Sequence, residues 1–142
     1  MKKLLLILLA CTTLACKKDN DKTLTSKNWV IESASVTPAM TINNKTSNNY
    51  IELMGQASCV ANMSISFSSD GTYSSGSNGA LCDMATITDI RTWTRNGDQI
   101  SLSATKDFPM VLSGNKLTQT VSTSPTAGIV YTFTYVYKAQ SK

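Results

Sequence analysis

Between Trp29 and Lys138 the chain is a succession of short runs in which β-branched and aromatic residues alternate with Ser and other polar ones. Each run is cut off by Gly, Asn, Asp or Pro. Successive side chains of a strand point to opposite faces, so such runs fit half-buried strands. No long stretch repeats its apolar positions at the helical period of 3.6, which excludes strand–helix alternation. Eight strands are predicted: Trp29 to Val36, Cys59 to Phe67, Thr72 to Asn78, Thr86 to Arg95, Gln99 to Ala104, Phe108 to Leu112, Lys116 to Thr123 and Ile129 to Lys138. In the first, Trp29 and Ile31 share one face and Val30, Ala34 and Val36 the other. Asn96-Gly97-Asp98 marks a hairpin, because Gly accepts positive φ. Pro38 to Asn49 is polar and reads as a loop, and Tyr50 to Gln56 as one or two helical turns. The simplest topology is an antiparallel meander.

The N-terminus has a different composition. Met1-Lys2-Lys3 is basic, and Leu4 to Ala15 carries no charge. That run is short for a membrane span, which takes roughly 20 residues. It suits the basic and apolar regions of a secretory signal. Ala15 is followed at once by Cys16 and then by Lys17-Lys18-Asp19-Asn20-Asp21. This order resembles a bacterial lipoprotein signal, cut before a cysteine that carries a diacylglyceryl thioether. Thr13-Leu14-Ala15-Cys16 departs from the usual box at Thr13 and Leu14. Leu8-Leu9-Ala10-Cys11 matches its first position better but leaves an apolar region of only about seven residues. Cys16 is therefore the predicted lipidation site, 1–15 the signal peptide, 16–23 the lipidated tether and 24–142 the barrel domain. Several acyl chains, palmitate among them, would anchor the chain stably where one would not. The charges after Cys16 are similar to signals that send lipoproteins of Gram-negative bacteria to the cell surface. The predicted address is the outer membrane, on its outer or periplasmic face.

Losing residues 1–15 removes Lys2, Lys3 and no acid, so 13 basic residues become 11 against 9 acidic ones and the net charge falls from +4 to +2. With no basic cluster beyond the tether, nucleic acid is not an expected partner. About 127 residues suit one domain, expected to be a monomer. Cys59 and Cys82 are left once Cys11 and Cys16 are assigned, and an even pair in an exported chain points to a disulfide. With no histidine in the chain, two thiols make a poor metal site, and no cofactor is implied. A two-residue turn at Asp70-Gly71 would place the two cysteines opposite each other. A four-residue turn, Ser68 to Gly71, would instead pair Phe67 with Tyr73 and leave the thiols one position out of register, unless a bulge restores them.

Lys27-Asn28-Trp29, Ile65-Ser66-Phe67 with Ser69-Asp70-Gly71-Thr72-Tyr73, Thr92-Trp93 ahead of Asn96-Gly97, and Tyr131-Thr132-Phe133-Thr134-Tyr135 are together similar to the lipocalin-like domain of small Gram-negative lipoproteins. The resemblance spans roughly residues 24–139. It implies an eight-stranded antiparallel barrel with the first-strand Trp29 packed at a closed end. Lipocalins carry Gly where Lys27 stands, and an Arg near the last strand where Lys138 is the nearby cation.

An eight-stranded barrel is either packed solid or holds one small ligand. Tyr131, Phe133, Tyr135 and Tyr137 share a face that should point inward, more often as core than as a binding wall. Asp89, Arg91, Trp93 and Arg95 also share a face. Turned outward, the commoner arrangement, they form a surface ladder with Arg stems covering the indole. Turned inward, a Trp flanked by guanidinium groups suits an anionic or planar ligand. The ligand-binding candidates are accordingly Arg91, Trp93, Tyr131, Phe133 and Tyr135. Without histidine, Ser-His-Asp and Cys-His catalysis are excluded. No nucleophile elbow or phosphate loop appears, and nothing in the spacing favours an acid–base pair among Glu32, Glu52 and Asp89. A non-enzymatic protein is expected. Its interior would bind a small hydrophobic or anionic molecule or a glycan. The alternative is a solid barrel acting as an inhibitor or accessory subunit of an envelope protein, through Pro38 to Asn49 and Ser124 to Gly128.

Overall fold

The computed structural model of the protein describes residues 21–77, 90–126 and 128–142. A helical turn, α1 (21–25), leads into strand β1 (Lys27–Ile42). There follow β2 (Lys45–Asn49), helix α2 (Tyr50–Met54), a 3-10 turn at Val60–Asn62, β3 (Met63–Phe67) and β4 (Tyr73–Ser77). The chain then runs through β5 (Trp93–Asn96), β6 (Gln99–Leu102), β7 (Met110–Ser113), β8 (Lys116–Thr126) and β9 (Ile129–Ser141). All strand pairs are antiparallel, in the spatial order β4-β3-β1-β9-β8-β7-β6-β5, with β2 hydrogen-bonded to the far half of β1. The two ends of that order meet. Thr72 bridges Thr92, the Tyr73 N–H donates to the Arg91 carbonyl at 3.0 Å, and the Trp93 N–H donates to the Gly71 carbonyl at 2.9 Å. Eight strands thus form a nearly closed, all-β, lipocalin-like barrel, and the all-β class is the one that the strand-and-turn composition implies.

β1 departs from simple alternation. Ile31 pairs with Tyr137 and Ser33 with Val136, so Glu32 is an extra residue in the ladder. A bulge of this kind reverses which residues face inward. Trp29 and Ile31 before it, and Ala34 and Val36 after it, all turn to the interior, where Ala34 is 2% and Val36 0% exposed. The two-face reading of this strand fails at that one residue. The segment Pro38 to Asn49 is not a loop. β1 continues to Ile42 and returns as β2 through Asn43 and Asn44, whose φ values are +51° and +63°. Two successive left-handed residues make a tight hairpin whose twist matches its strands, and Asn is among the few side chains that tolerate this. Pro38 sits where the β1–β2 pairing is interrupted between Ser35 and Met40, so no ladder donor is missed there.

The β3–β4 turn decides the alternatives left open at Asp70-Gly71. Phe67 pairs with Tyr73 across four residues, and Gly71 takes φ +86°. The Asp70 carboxylate accepts from the Thr72 N–H at 2.9 Å and from its hydroxyl at 2.6 Å, an Asx-type turn that fixes the register. The direct opposition of positions 59 and 82 that a two-residue turn would give is therefore not the register of β3 and β4. Val60–Asn62 leaves the strand as a 3-10 turn, with Cys59 exposed before it. Cys82 lies outside the described residues, as do Cys16 and the signal segment.

The closed end is the core. Leu24, Trp29, Phe67, Ile100, Met110 and Leu117 are each 0% exposed, and a buried side chain of this size contributes about 1.5–3 kcal/mol. α1 seals this end from below. Its Leu24 belongs to the core, the Trp29 indole N–H donates to the Leu24 carbonyl at 3.0 Å, and Asp21 pairs with Arg95 at 3.0 Å. The Lys142 ammonium donates to the Thr25 carbonyl at 2.7 Å. The segment 21–23, assigned to the tether on composition, thus belongs to a helical turn of the fold. β8 and β9 are much longer than β7. β7 pairs with β8 only as far as Gln119, so beyond it β8 and β9 project from the barrel together with the β1–β2 hairpin.

Candidate ligand-binding cavity

Above the packed end the interior opens into a cavity of about 440 Å³, within the range of small-molecule sites. Its walls follow from the two-residue period. The inward phase of β3 supplies Met63 and Ile65, and that of β4 supplies Tyr73, Ser75 and Ser77. Leu102 comes from β6, Gln119 from β8 and Tyr137 from β9, and Thr105, Arg91 and the exposed Cys59 are among the other lining residues. Ile65 and Leu102 make the floor apolar.

Three polar groups give this apolar wall its chemistry. Arg91 is partly buried; its guanidinium donates to the Ser75 hydroxyl and stands 6.0 Å from the centre of the Tyr73 ring. It carries the sole formal charge among the described lining residues, and none of those is a carboxylate. Gln119 is 8% exposed. Its amide NH₂ donates to the Thr105 hydroxyl at 3.1 Å and to the Phe108 carbonyl at 2.9 Å, which ties the 103–109 connection to β8. Both donors are spent, and the amide oxygen has no hydrogen-bond partner among the described residues. Tyr137 is 4% exposed and its hydroxyl likewise has no partner among them, yet no polar atom there is sealed without one. Neither atom is sealed from solvent, and both residues line the cavity. Burial, and then the neighbouring Tyr135, push the Tyr137 phenol above its ordinary pKa, so it stays protonated and able to donate.

The face shared by Arg91, Trp93 and Arg95 points inward, not outward as a surface ladder. The reason is closure: β5 pairs with β6 on one side and meets β4 on the other, which turns its odd-numbered positions to the interior. The three side chains then part company. Arg91 reaches the cavity. Trp93 lies lower, edge-on to Phe67 at 5.6 Å, with its indole N–H on the Ser68 carbonyl at 3.1 Å. Arg95, with a side chain only 4% exposed, is consumed by Asp21 and by the Gly97 carbonyl at 2.6 Å. Asp89 lies outside the described residues.

The aromatic face of β9 turns inward as its alternation predicts, but it divides. Phe133 packs edge-on to Tyr50 of α2 at 4.9 Å and stacks with Tyr135 at 6.4 Å. Tyr135 also packs against the main core, while Phe133 and its cross-strand partner Val36 lie outside that cluster. Tyr131 lies half-buried farther along the projecting hairpin. Of the candidates named from sequence, Arg91 lines the cavity, whereas Trp93, Tyr131, Phe133 and Tyr135 stand outside it. Gln119 and Tyr137 were not among those candidates. The signal for Gln119 was a carboxamide in phase with Leu117, on the core side of β8.

Glu32 and Glu52 are engaged elsewhere. Glu32 accepts from Lys116 at 2.7 Å, and Glu52 from Lys45 at 2.9 Å and Ser47 at 3.1 Å. These hydrogen bonds hold both carboxyls below their ordinary pKa. Among the described residues no group of three or more His, Cys, Asp or Glu could hold a metal ion, and no helix is long and apolar enough to cross a membrane. Comparison with protein-family models, with curated proteins and with solved structures finds no match to this chain.

Proposed function

We propose that this chain is an exported lipoprotein, anchored to the outer membrane through Cys16, whose barrel binds a small hydrophobic or anionic molecule. The observation that carries the ligand-binding reading is the cavity of about 440 Å³ within a barrel whose other end is solid. A barrel filled throughout would leave only its loops for function. The position of α1 supports the anchored arrangement. The chain enters at the closed end, and the five residues from Cys16 to Asp21 reach at most about 18 Å. The closed end would then face the membrane and the cavity would face away. We further propose that Cys59 and Cys82 form a disulfide. The Ser77 hydroxyl donates to the Cys59 carbonyl at 2.9 Å, so the end of β4 lies beside Cys59 with five residues to go to Cys82.

The test has two parts. Metabolic labelling with a palmitate analogue should mark the full-length protein and not its Cys16→Ser variant; a labelled variant would remove the assigned anchor. Protein purified from membranes in mild detergent should bind a neutral apolar dye such as Nile red within the barrel. No dye binding would overturn the ligand-binding reading and favour the alternative, an envelope interaction protein working through the β1–β2 and β8–β9 hairpins.

A further inference from the structure

The cavity distributes its polar groups unequally, and this distribution describes a ligand. At the partly exposed wall stands Arg91, with one guanidinium N–H on Ser75 and its charge 6.0 Å from the centre of the Tyr73 ring. A guanidinium has five N–H donors in a fixed fork, so most remain for an incoming group. Among the described residues no acid neutralises it. Deeper lie two groups more than nine-tenths buried, Gln119 and Tyr137. Leu117 is the cross-strand partner of Tyr137 and Gln119 that of Tyr135, which makes Gln119 and Tyr137 diagonal neighbours on one face, with Cβ atoms within about 7–8 Å. One ligand atom between them can reach both. What they lack is complementary: the Gln119 oxygen needs a donor, while the Tyr137 hydroxyl offers a proton and two lone pairs. A hydroxyl satisfies both at once, donating to Gln119 and accepting from Tyr137. Ile65, Met63 and Leu102 supply apolar wall for the body of the ligand.

We propose that the cavity takes a small amphipathic monoanion, its acidic group held by Arg91 and a hydroxyl held deep between Tyr137 and Gln119. The volume suits an apolar body of about a dozen non-hydrogen atoms. This deepens the ligand-binding reading above and rests on it. The acid sets the orientation, because a guanidinium binds a carboxylate through two parallel hydrogen bonds. The hydroxyl selects among acids of equal size, because buried groups left unpaired by the wrong ligand penalise it.

The experiment is calorimetric titration of the detergent-solubilised full chain with three probes of one length: ω-hydroxydecanoate, decanoate and decanediol. The hydroxy acid should bind at least about tenfold more tightly than either of the others. In Arg91→Gln the hydroxy acid should fall to the affinity of the diol, and Arg91→Lys should recover part of the loss. In Tyr137→Phe the hydroxy acid should fall to the affinity of decanoate. Equal binding of diol and hydroxy acid by the unaltered protein would overturn the anion assignment, and equal binding of decanoate and hydroxy acid would overturn the hydroxyl assignment. Both results would leave the cavity as a ligand site if Nile red binds and the probes displace it. Failure of dye and probes alike would remove the ligand-binding reading itself, and this proposal with it.

Discussion

Replacing Leu24 by alanine tests whether α1 is a structural part of the barrel or only the end of a tether. Leu24 is 0% exposed and belongs to the cluster around Trp29 and Phe67. The substitution removes three carbon atoms, worth about 2.4 kcal/mol at roughly 0.8 kcal/mol each. A void that cannot collapse would raise the loss toward about 5 kcal/mol. α1 lies at the edge of the fold, however, and can settle onto the gap, so the expected loss is about 2.5–3 kcal/mol. For a domain of this size that lowers the melting temperature by about 10 °C. Urea and thermal unfolding followed by circular dichroism read it directly, with Lys22→Ala as the control. Lys22 is exposed on the same turn, and its removal should change stability by less than about 0.5 kcal/mol. A Leu24→Ala variant as stable as that control would refute the docking of α1, and with it the argument that the closed end faces the anchor.

Asp21→Ala should cost about 1–3 kcal/mol, less than for a fully buried pair because the Asp21 side chain is 42% exposed while that of Arg95 is 4% exposed. Adding Arg95→Met should restore part of that loss in a double-mutant cycle, and strict additivity would show the pair to be uncoupled. Alkaline unfolding follows from Tyr135 and Tyr137, whose phenols are raised above 10 chiefly by burial. Above pH 10 the unfolded chain releases these protons first, so the stability they contribute is complete below pH 10 and is lost as pH rises past it. Tyr137→Phe should flatten that fall, and an unchanged slope would argue against its burial. If Cys59 and Cys82 are joined, the intact mass should rise by two hydrogens on reduction. The double serine variant should then lose about 3 kcal/mol, and an unchanged mass would refute the bond.

The sequence by itself determined the strands and most of the turns. Alternation and turn residues are local properties, and runs such as Gln99 to Leu102 or Ile129 to Lys138 state them plainly. The inward aromatic face of β9 was legible for the same reason. Three features were not. The bulge at Glu32 depends on how β1 meets β9, and no residue within β1 announces it. The Asn43-Asn44 hairpin carried a local signal, but Pro38 and the polar residues around it masked the strand on either side. The inward turn of Arg91, Trp93 and Arg95 required closure against β4, since either face of that strand could have served as the apolar one. The cavity is the furthest removed from sequence. Arg91, Gln119 and Tyr137 come from three separate stretches, and what unites them is the small volume that closure leaves above Trp29. Their chemistry belongs to the residues, but their meeting is a consequence of tertiary structure alone.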